Sequence, residues 1–234
     1  MICKIADLLV DVPEDDGLAV RCAPYRWEAA QSVRPQITIQ TSQYHPEMYP
    51  GLSGEMVAYI ESGRLFHRML PQYQGMMLHA SAVAVEGGAY LFSAACGVGK
   101  STHTKLWKQM LGDRAVILND DKPTLRLLDH TWYAYGTPWC GKDGINENMR
   151  AELAGICFLK QAAENRIRRL SPQEALFHLL EQTMHGLHRT AVDRILSFLP
   201  DMIDRVPMFL LENKPEIAAA ELSYKTMRGE WEKQ

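Results

Sequence analysis

The chain has 234 residues, a formal net charge of −3, 47% hydrophobic and 23% charged residues. That balance fits one large domain with a small addition, able to bury its core without disulfides or structural metal. Basic residues are scattered except at Arg166, Arg168 and Arg169, which excludes a nucleic-acid partner, and five dispersed cysteines without a CxxC pair fit a reducing, cytoplasmic compartment. No leader is expected at the N-terminus, and no apolar run approaches the roughly 20 residues a membrane span needs, so no membrane partner is expected.

Residues 1–50 mix short apolar runs with turn residues. Ile37-Thr38-Ile39 alternates as a strand does, and Pro24, Pro35, Pro46 and Pro50 bar a long helix. A helix follows at 54–70, with Met56, Val57, Ile60, Leu65 and Met69 on its apolar face and Gly63 against it; Pro71 ends it. These make residues 1–70 a small N-terminal α/β part, possibly packed on a main domain at 71–234. Met76-Met77-Leu78 leads into Ala82–Val85, the Gly87-Gly88 turn and Ala89–Phe92, a hairpin. Thr102–Leu111 reads as a helix stopped by Gly112, and 115–118 as a short buried strand. A second hairpin spans 124–128 and 131–135 around Asp129-His130. Residues 136–150 read as a loop and 153–159 as a buried strand, with Arg168 and Arg169 after it. Ser171, Pro172 and Glu174 form a capping box that starts a helix running to about Thr183. A helix at 191–203 is expected to break at Pro200. A strand at 206–211 and a helix at 216–231 complete a mixed, α+β-like sheet architecture.

Leu91-Phe92-Ser93 leads as a strand into Ala94-Ala95-Cys96-Gly97-Val98-Gly99-Lys100-Ser101-Thr102, then a helix. Gly99-Lys100-Ser101 fits the phosphate-loop pattern GxxxxGK[ST], with Ala94 at its first glycine position. Gly97 and Gly99 permit successive amides to point inward at a phosphate, and the following helix adds the positive end of its dipole. Ala95 to Thr102 are therefore expected to bind ATP, with Lys100 on the β- and γ-phosphates and Ser101 on Mg2+. Asn119-Asp120-Asp121 ends the strand after the helix, where paired carboxylates can hold magnesium and orient an attacking hydroxyl. A turn rich in Asn and Asp is the plainer alternative. His79, beside apolar residues, is by itself more often structural. His103 lies on the helix after the loop, where a surface role is expected. His178, His185 and His188 complete no zinc motif.

His79-Ala80-Ser81-Ala82, then Cys96 to Thr102, then Asp120-Asp121 together resemble the shared pattern of the HPr kinase/phosphorylase catalytic domain and the phosphoenolpyruvate carboxykinases. The motifs span residues 76–125, and the element order extends the likeness to about 210. The resemblance implies a carboxykinase/HPr kinase-like phosphate-loop fold. It implies that Lys100 contacts phosphates, Asp120 acts as general base, Ser101 and Asp121 ligate magnesium, and His79 stands near the metal or the base. The chain is far shorter than a carboxykinase and has no matching substrate arginine segment, so decarboxylation is not expected. The motif of true HPr kinases after the acidic pair is also missing. Tyr135 to Lys142 and Asn146-Glu147-Asn148 instead look like the substrate loop of a smaller HPr-kinase-like group. Lys142, Asn146 and Glu147 are candidates for substrate contacts, and Arg168 for the transferring phosphate, against the plain readings of a solvated loop and a surface charge cluster. The expected activity is an ATP- and Mg2+-dependent kinase acting on a hydroxyl acceptor, a protein or peptide serine or a small molecule. The alternative is a nucleotide-binding regulatory protein with little catalysis.

Overall fold

A hairpin of β1 (Ile2–Ile5) and β2 (Leu8–Asp11) begins the chain, turned at Ala6 and Asp7 with φ of 51° and 57°. The computed structural model describes residues 1–28, 34–183 and 186–229. The Ala6-Asp7 pair carries no ordinary turn signature. Its left-handed backbone is held through the Asp7 carboxylate, which accepts from Tyr135 Oη at 2.9 Å and pairs with Lys4 at 3.1 Å. The seven-residue helix α1 (Asp16–Cys22), capped by Asp15, precedes β3 (Ile37–Thr38), which joins β2 in parallel.

Ser53 caps α2 (Gly54–Met69) by accepting from Met56 N. Gly63 is tolerated mid-helix because a Cβ there would stand 2.8 Å from Trp139 Cδ1: the indole lies against bare backbone. Trp139 also stacks on Phe66, centroids 4.7 Å apart, and donates to Ser62 Oγ at 3.0 Å.

The main sheet is mixed. Its elements in chain order are β4 (Gly75–Met77), β5 (Ala80–Val85), β6 (Gly88–Ser93), α3 (Lys100–Leu111), β7 (Ala115–Asn119), β8 (Thr124–Leu128), β9 (Thr131–Tyr135), β10 (Arg150–Gln161), β11 (Arg166–Arg169), α4 (Pro172–Thr183), α5 (Arg189–Arg205), β12 (Met208–Asn213) and α6 (Ile217–Met227). The strand order is β4-β8-β9-β10-β6-β5-β7, with β12 parallel to the far half of β10 and β11 antiparallel to β12. Both expected hairpins form, each on a two-residue left-handed turn: Glu86-Gly87 at 51° and 86°, Asp129-His130 at 46° and 65°.

Alternation along β5 and β6 divides the core into two faces. Ala80, Ala82, Ala84, Ala89 and Leu91 pack with Leu179, Ile195, Phe198 and Met202 of α4 and α5. Val83, Val85, Tyr90 and Phe92 pack with Trp107 of α3 and Ala220 of α6. A third buried cluster joins Ile5, Val10 and Tyr25 of the N-terminal part to Phe66, Met77, Tyr135 and Trp139, so residues 1–70 and the main sheet share apolar core.

Four details depart from the sequence reading. Gly75–Met77 is a separate strand paired with β8 rather than part of the first hairpin. Strand β7 lies at the end of the sheet path with Val116 and Ile117 half-buried. Arg168 and Arg169, which follow β10 as expected, form a strand of their own, β11. Helix α5 runs through Pro200. Pro200 and Leu196 are both exposed, so the Leu196 carbonyl that loses its amide partner faces the solvent side, where water can satisfy it. His185 and residues 230–231 of the expected last helix lie outside the described residues.

Candidate functional site

Strand β6 ends at Ser93 and α3 starts at Lys100, with the loop between them turned by Gly97 and Gly99 at φ of 80° and 117°. Only glycine adopts such angles without strain. Ala94, which replaces the motif's first glycine, has no positive φ and buries its methyl in the core against the α3 face. The loop therefore needs no glycine at that position. Ala95, Cys96 and Gly97 are exposed, Val98 and Gly99 half-buried. No side chain caps α3, so its first-turn amides keep their donors for an acceptor at the loop mouth.

Lys100 is buried, and its ammonium donates to Ala94 O at 3.1 Å and Ala95 O at 3.5 Å. Burial lowers its pKa, while the charge of Asp121 opposes that shift. The Ser101 hydroxyl donates to Asp120 O at 3.1 Å, which ties the helix start to the acidic pair. Thr102 is exposed on the same turn.

Asn119 organises the acidic pair. Its Oδ1 accepts from Asp121 N at 2.9 Å and Lys122 N at 2.6 Å, a side chain-to-backbone turn that fixes both carboxylates at the strand end. Its Nδ2 donates to Thr137 O, Thr137 Oγ1 and Trp139 O at 3.1–3.2 Å, binding the 136–140 run to the same point. Next to it, Asp120 is buried and accepts from Gly141 N. A Cβ on Gly141 would come within 2.9 Å of Asp120 Oδ2. Burial pushes the Asp120 carboxyl above its ordinary range, against the pull of the Gly141 amide.

Asp121 behaves oppositely. Burial raises its pKa, but His79 and Lys122 outweigh it and hold the carboxyl well below the usual range. Lys122 Nζ lies 2.6 Å from Asp121 Oδ2, and His79 Nε2 lies 3.5 Å from Oδ1. The other ring nitrogen of His79 faces Gln182 Oε1 at 3.2 Å. The main chain of His79 accepts from Ser93 Oγ at 2.8 Å, so the histidine is tied to the strand that feeds the glycine loop. Two neighbouring carboxyls with opposed pKa shifts are suited to different tasks, one to exchange a proton and one to stay charged.

Ser101, Asp120, Asp121 and His79 are thus linked by direct bonds, with Lys100 beside them at the start of α3. The loop candidates flank them. Ile145 O accepts from Asp120 N at 3.2 Å and Glu147 N donates to Leu118 O at 3.0 Å, which lays 145–147 along the end of β7. Asn146 accepts from Tyr25 Oη at 2.7 Å through its side chain, and the Lys142 and Glu147 side chains are exposed. Arg168 is not gathered in. It lies on β11, where Glu174 engages its guanidinium at 2.7 and 3.1 Å. His103 is not on the surface: it is buried, bonded to Ser223 Oγ at 2.9 Å and packed on Phe92.

Asn119, Gly141, Lys122 and Gln182 went unassigned in the sequence reading. An Asn directly before two aspartates at a strand end is a signal for the first; nothing local marks the others.

Among the described residues, no group of three His, Cys, Asp or Glu side chains forms a metal cage. The donors present, a hydroxyl and one strongly ionised carboxylate, fit a cation that takes its remaining ligands from water and phosphate, as magnesium does. Among the described residues no helix is long and apolar enough to cross a membrane.

The family described as SynChlorMet cassette protein ScmC matches residues 53–214, a span that starts at the cap of α2 and contains every site residue above. No curated protein matches the sequence. Among solved structures, the Hpr(Ser) kinase/phosphatase from Coxiella burnetii is similar at a TM-score of 0.40 and 11% identity, over 67% of this chain and 99% of that one.

Proposed function

The chain belongs to the ScmC family, and from the geometry of its site we propose that it is an ATP- and Mg2+-dependent kinase that phosphorylates a hydroxyl acceptor. The observation that carries this reading is the junction of a buried lysine on a glycine loop with two aspartates whose pKa values are driven apart. Ala95 to Thr102 surround the phosphates with amides, and Lys100 supplies the one buried positive charge of the loop. Ser101 and Asp121 hold the cation. Magnesium, when bound, screens the phosphate charge and aligns the transferring group. Asp120, whose pKa is raised by burial, accepts the proton of the attacking hydroxyl. His79 orients Asp121 and keeps it ionised. Lys142, Asn146 and Glu147 flank the acidic pair on the loop side, and Arg168 takes part only by leaving Glu174.

Titration with Mg-ATP followed by thermal unfolding tests the reading. Ligand at 100 times its dissociation constant adds about 2.7 kcal/mol of stability. Lys100→Ala is expected to remove that gain together with any ADP release. An unchanged melting curve of the unaltered chain in saturating Mg-ATP overturns the assignment.

A second reading is a nucleotide-binding protein with little turnover. The Lys122 ammonium favours it, because at 2.6 Å it already neutralises the carboxylate assigned to the cation. A protein of that kind binds Mg-ATP yet releases no ADP, and Lys122→Ala does not raise its rate.

A further inference from the structure

A cavity of about 500 Å³ opens beside the acidic pair, on the side of α2. Its wall is mainly apolar: Tyr59 and Ile60 from α2, Met77 at the end of β4, Leu78 after it, and the Trp139 ring. His79 and Lys122, the two residues that touch Asp121, line its end nearest the carboxylates. A space of this size and composition matches a small-molecule pocket, in which apolar walls hold the body and a few polar groups orient it.

One polar atom in the wall has no partner among the described residues: Thr183 Oγ1, on a residue only 2% exposed. Thr183 and the half-buried His67 both line the cavity. Burial lowers the His67 pKa to about 4, against the main chain of Thr183, so the ring is neutral at pH 7 and carries no charge to be matched. Unpaired groups of this kind are uncommon in folded proteins and mark a place where a ligand completes the bonding.

We propose that this cavity is the acceptor site, and that the acceptor is a small alcohol with an aromatic body. The assignment rests on the kinase reading above. The ring packs against Tyr59, Trp139 and the aliphatic wall, and its hydroxyl faces the end bounded by His79 and Lys122. A sugar or glycerol would leave most of its hydroxyls unpaired against that wall. In the transfer, the acceptor oxygen bonds to the γ-phosphorus of ATP. The bond from that phosphorus to the bridging oxygen breaks, ADP leaves with the electron pair, and the hydroxyl proton passes to the Asp120 carboxylate.

Calorimetric titration of the full chain with 2-(4-hydroxyphenyl)ethanol, without nucleotide, tests the occupant. Saturable one-to-one binding is expected, with none for glycerol. Ile60→Trp fills the cavity and is expected to weaken binding at least tenfold. Thr183→Val, nearly isosteric and so a safeguard should the larger residue disturb folding, is expected to weaken it several-fold. No saturable binding, equal affinity in Thr183→Val, or glycerol binding as tightly overturns the proposal. A separate titration with Mg-ATP keeps the two readings apart: failure there sinks the kinase assignment, whatever the alcohol does. With γ-labelled ATP, label is expected on the aromatic alcohol and not on glycerol. Binding of the alcohol without phosphorylation shows that the cavity is not the acceptor site.

Discussion

Asn119 sits where the acidic pair, the 136–140 run and the end of β7 meet, so replacing it tests how the site is built. Asn119→Ala deletes an acceptor from two main-chain amides, those of Asp121 and Lys122, and a donor from Thr137 O, Thr137 Oγ1 and Trp139 O. Asn119 is fully buried, so the residue's own position gives the freed amides no route to water. Each abandoned buried group costs about 1–3 kcal/mol and each ordinary bond about 1 kcal/mol net. The Trp139 carbonyl keeps a second donor in Thr137 Oγ1 at 3.1 Å, which trims the loss. The sum is about 4 kcal/mol. For a domain of 150–250 residues that corresponds to a fall in Tm of roughly 10 °C. Equilibrium urea unfolding and a thermal melt measure it. Asn119→Asp keeps the acceptor and loses the donor while adding a buried charge, so its deficit should narrow as the pH is lowered and the carboxyl regains a proton. An Asn119→Ala melt within about 2 °C of the unaltered chain would refute the argument that this one amide holds the turn.

Asp120→Asn separates stability from activity. Because burial raises the folded-state pKa, the ionised form opposes folding at neutral pH. The variant should melt higher than the original at pH 7, with the gap closing as the pH falls through the Asp120 titration, and it should lose phosphoryl transfer. Glu61 has the opposite sign. Arg64 first, then Tyr49 and the His45 amide, outweigh its burial and bring its pKa to about 2. Its contribution is complete above its ordinary value of 4.5 and disappears as the pH drops toward 2; Glu61→Gln should be less stable at pH 7 and converge with the original in acid melts. Gly136→Ala would place a Cβ 1.9 Å from Glu147 O and 2.6 Å from Leu118 O. Both are backbone atoms, so the loss should be about 3 kcal/mol in urea titration, with the loop displaced. Gly141→Ala meets only the Asp120 side chain and should leave stability nearly intact while lowering any ADP release at least tenfold; equal rates would clear Gly141 of a positioning role.

Local grammar carried most of the fold. The Asp129-His130 turn, the Ser171-Pro172-Glu174 cap and the stop at Gly112 all announce themselves in a few adjacent residues, while the first hairpin turns at Glu86-Gly87, one residue before the expected Gly87-Gly88. The glycine loop and Asp120-Asp121 stand out for the same reason: each is a short string of unusual residues between two regular elements. What escaped depended on distant partners. The Ala6-Asp7 turn is secured by Tyr135, and the glycine inside α2 is explained only by Trp139, 76 residues later in the numbering of the chain. Gly141 matters because it meets Asp120 across a fold, and Gln182 because α4 ends beside His79. Arg168 shows the converse. A cluster of arginines reads as plain surface charge or as a phosphate contact, and the glutamate six positions on that occupies Arg168 supports the first.

The third core cluster has a practical consequence. Trp139 anchors the run whose next residues hold Asp120, and the buried cluster it belongs to is completed by Ile5, Val10 and Tyr25, which stand as its outer wall on the N-terminal side. A fragment trimmed to the family span at residue 53 would strip that wall away. Phe66, Met77, Tyr135 and Trp139 would then face water as one sticky patch, and the truncated protein would be prone to self-association before its chemistry could be assayed. The stretch ahead of the family match is the other half of a clamp, and a shortened version should be judged by its oligomeric state before its silence is taken as inactivity.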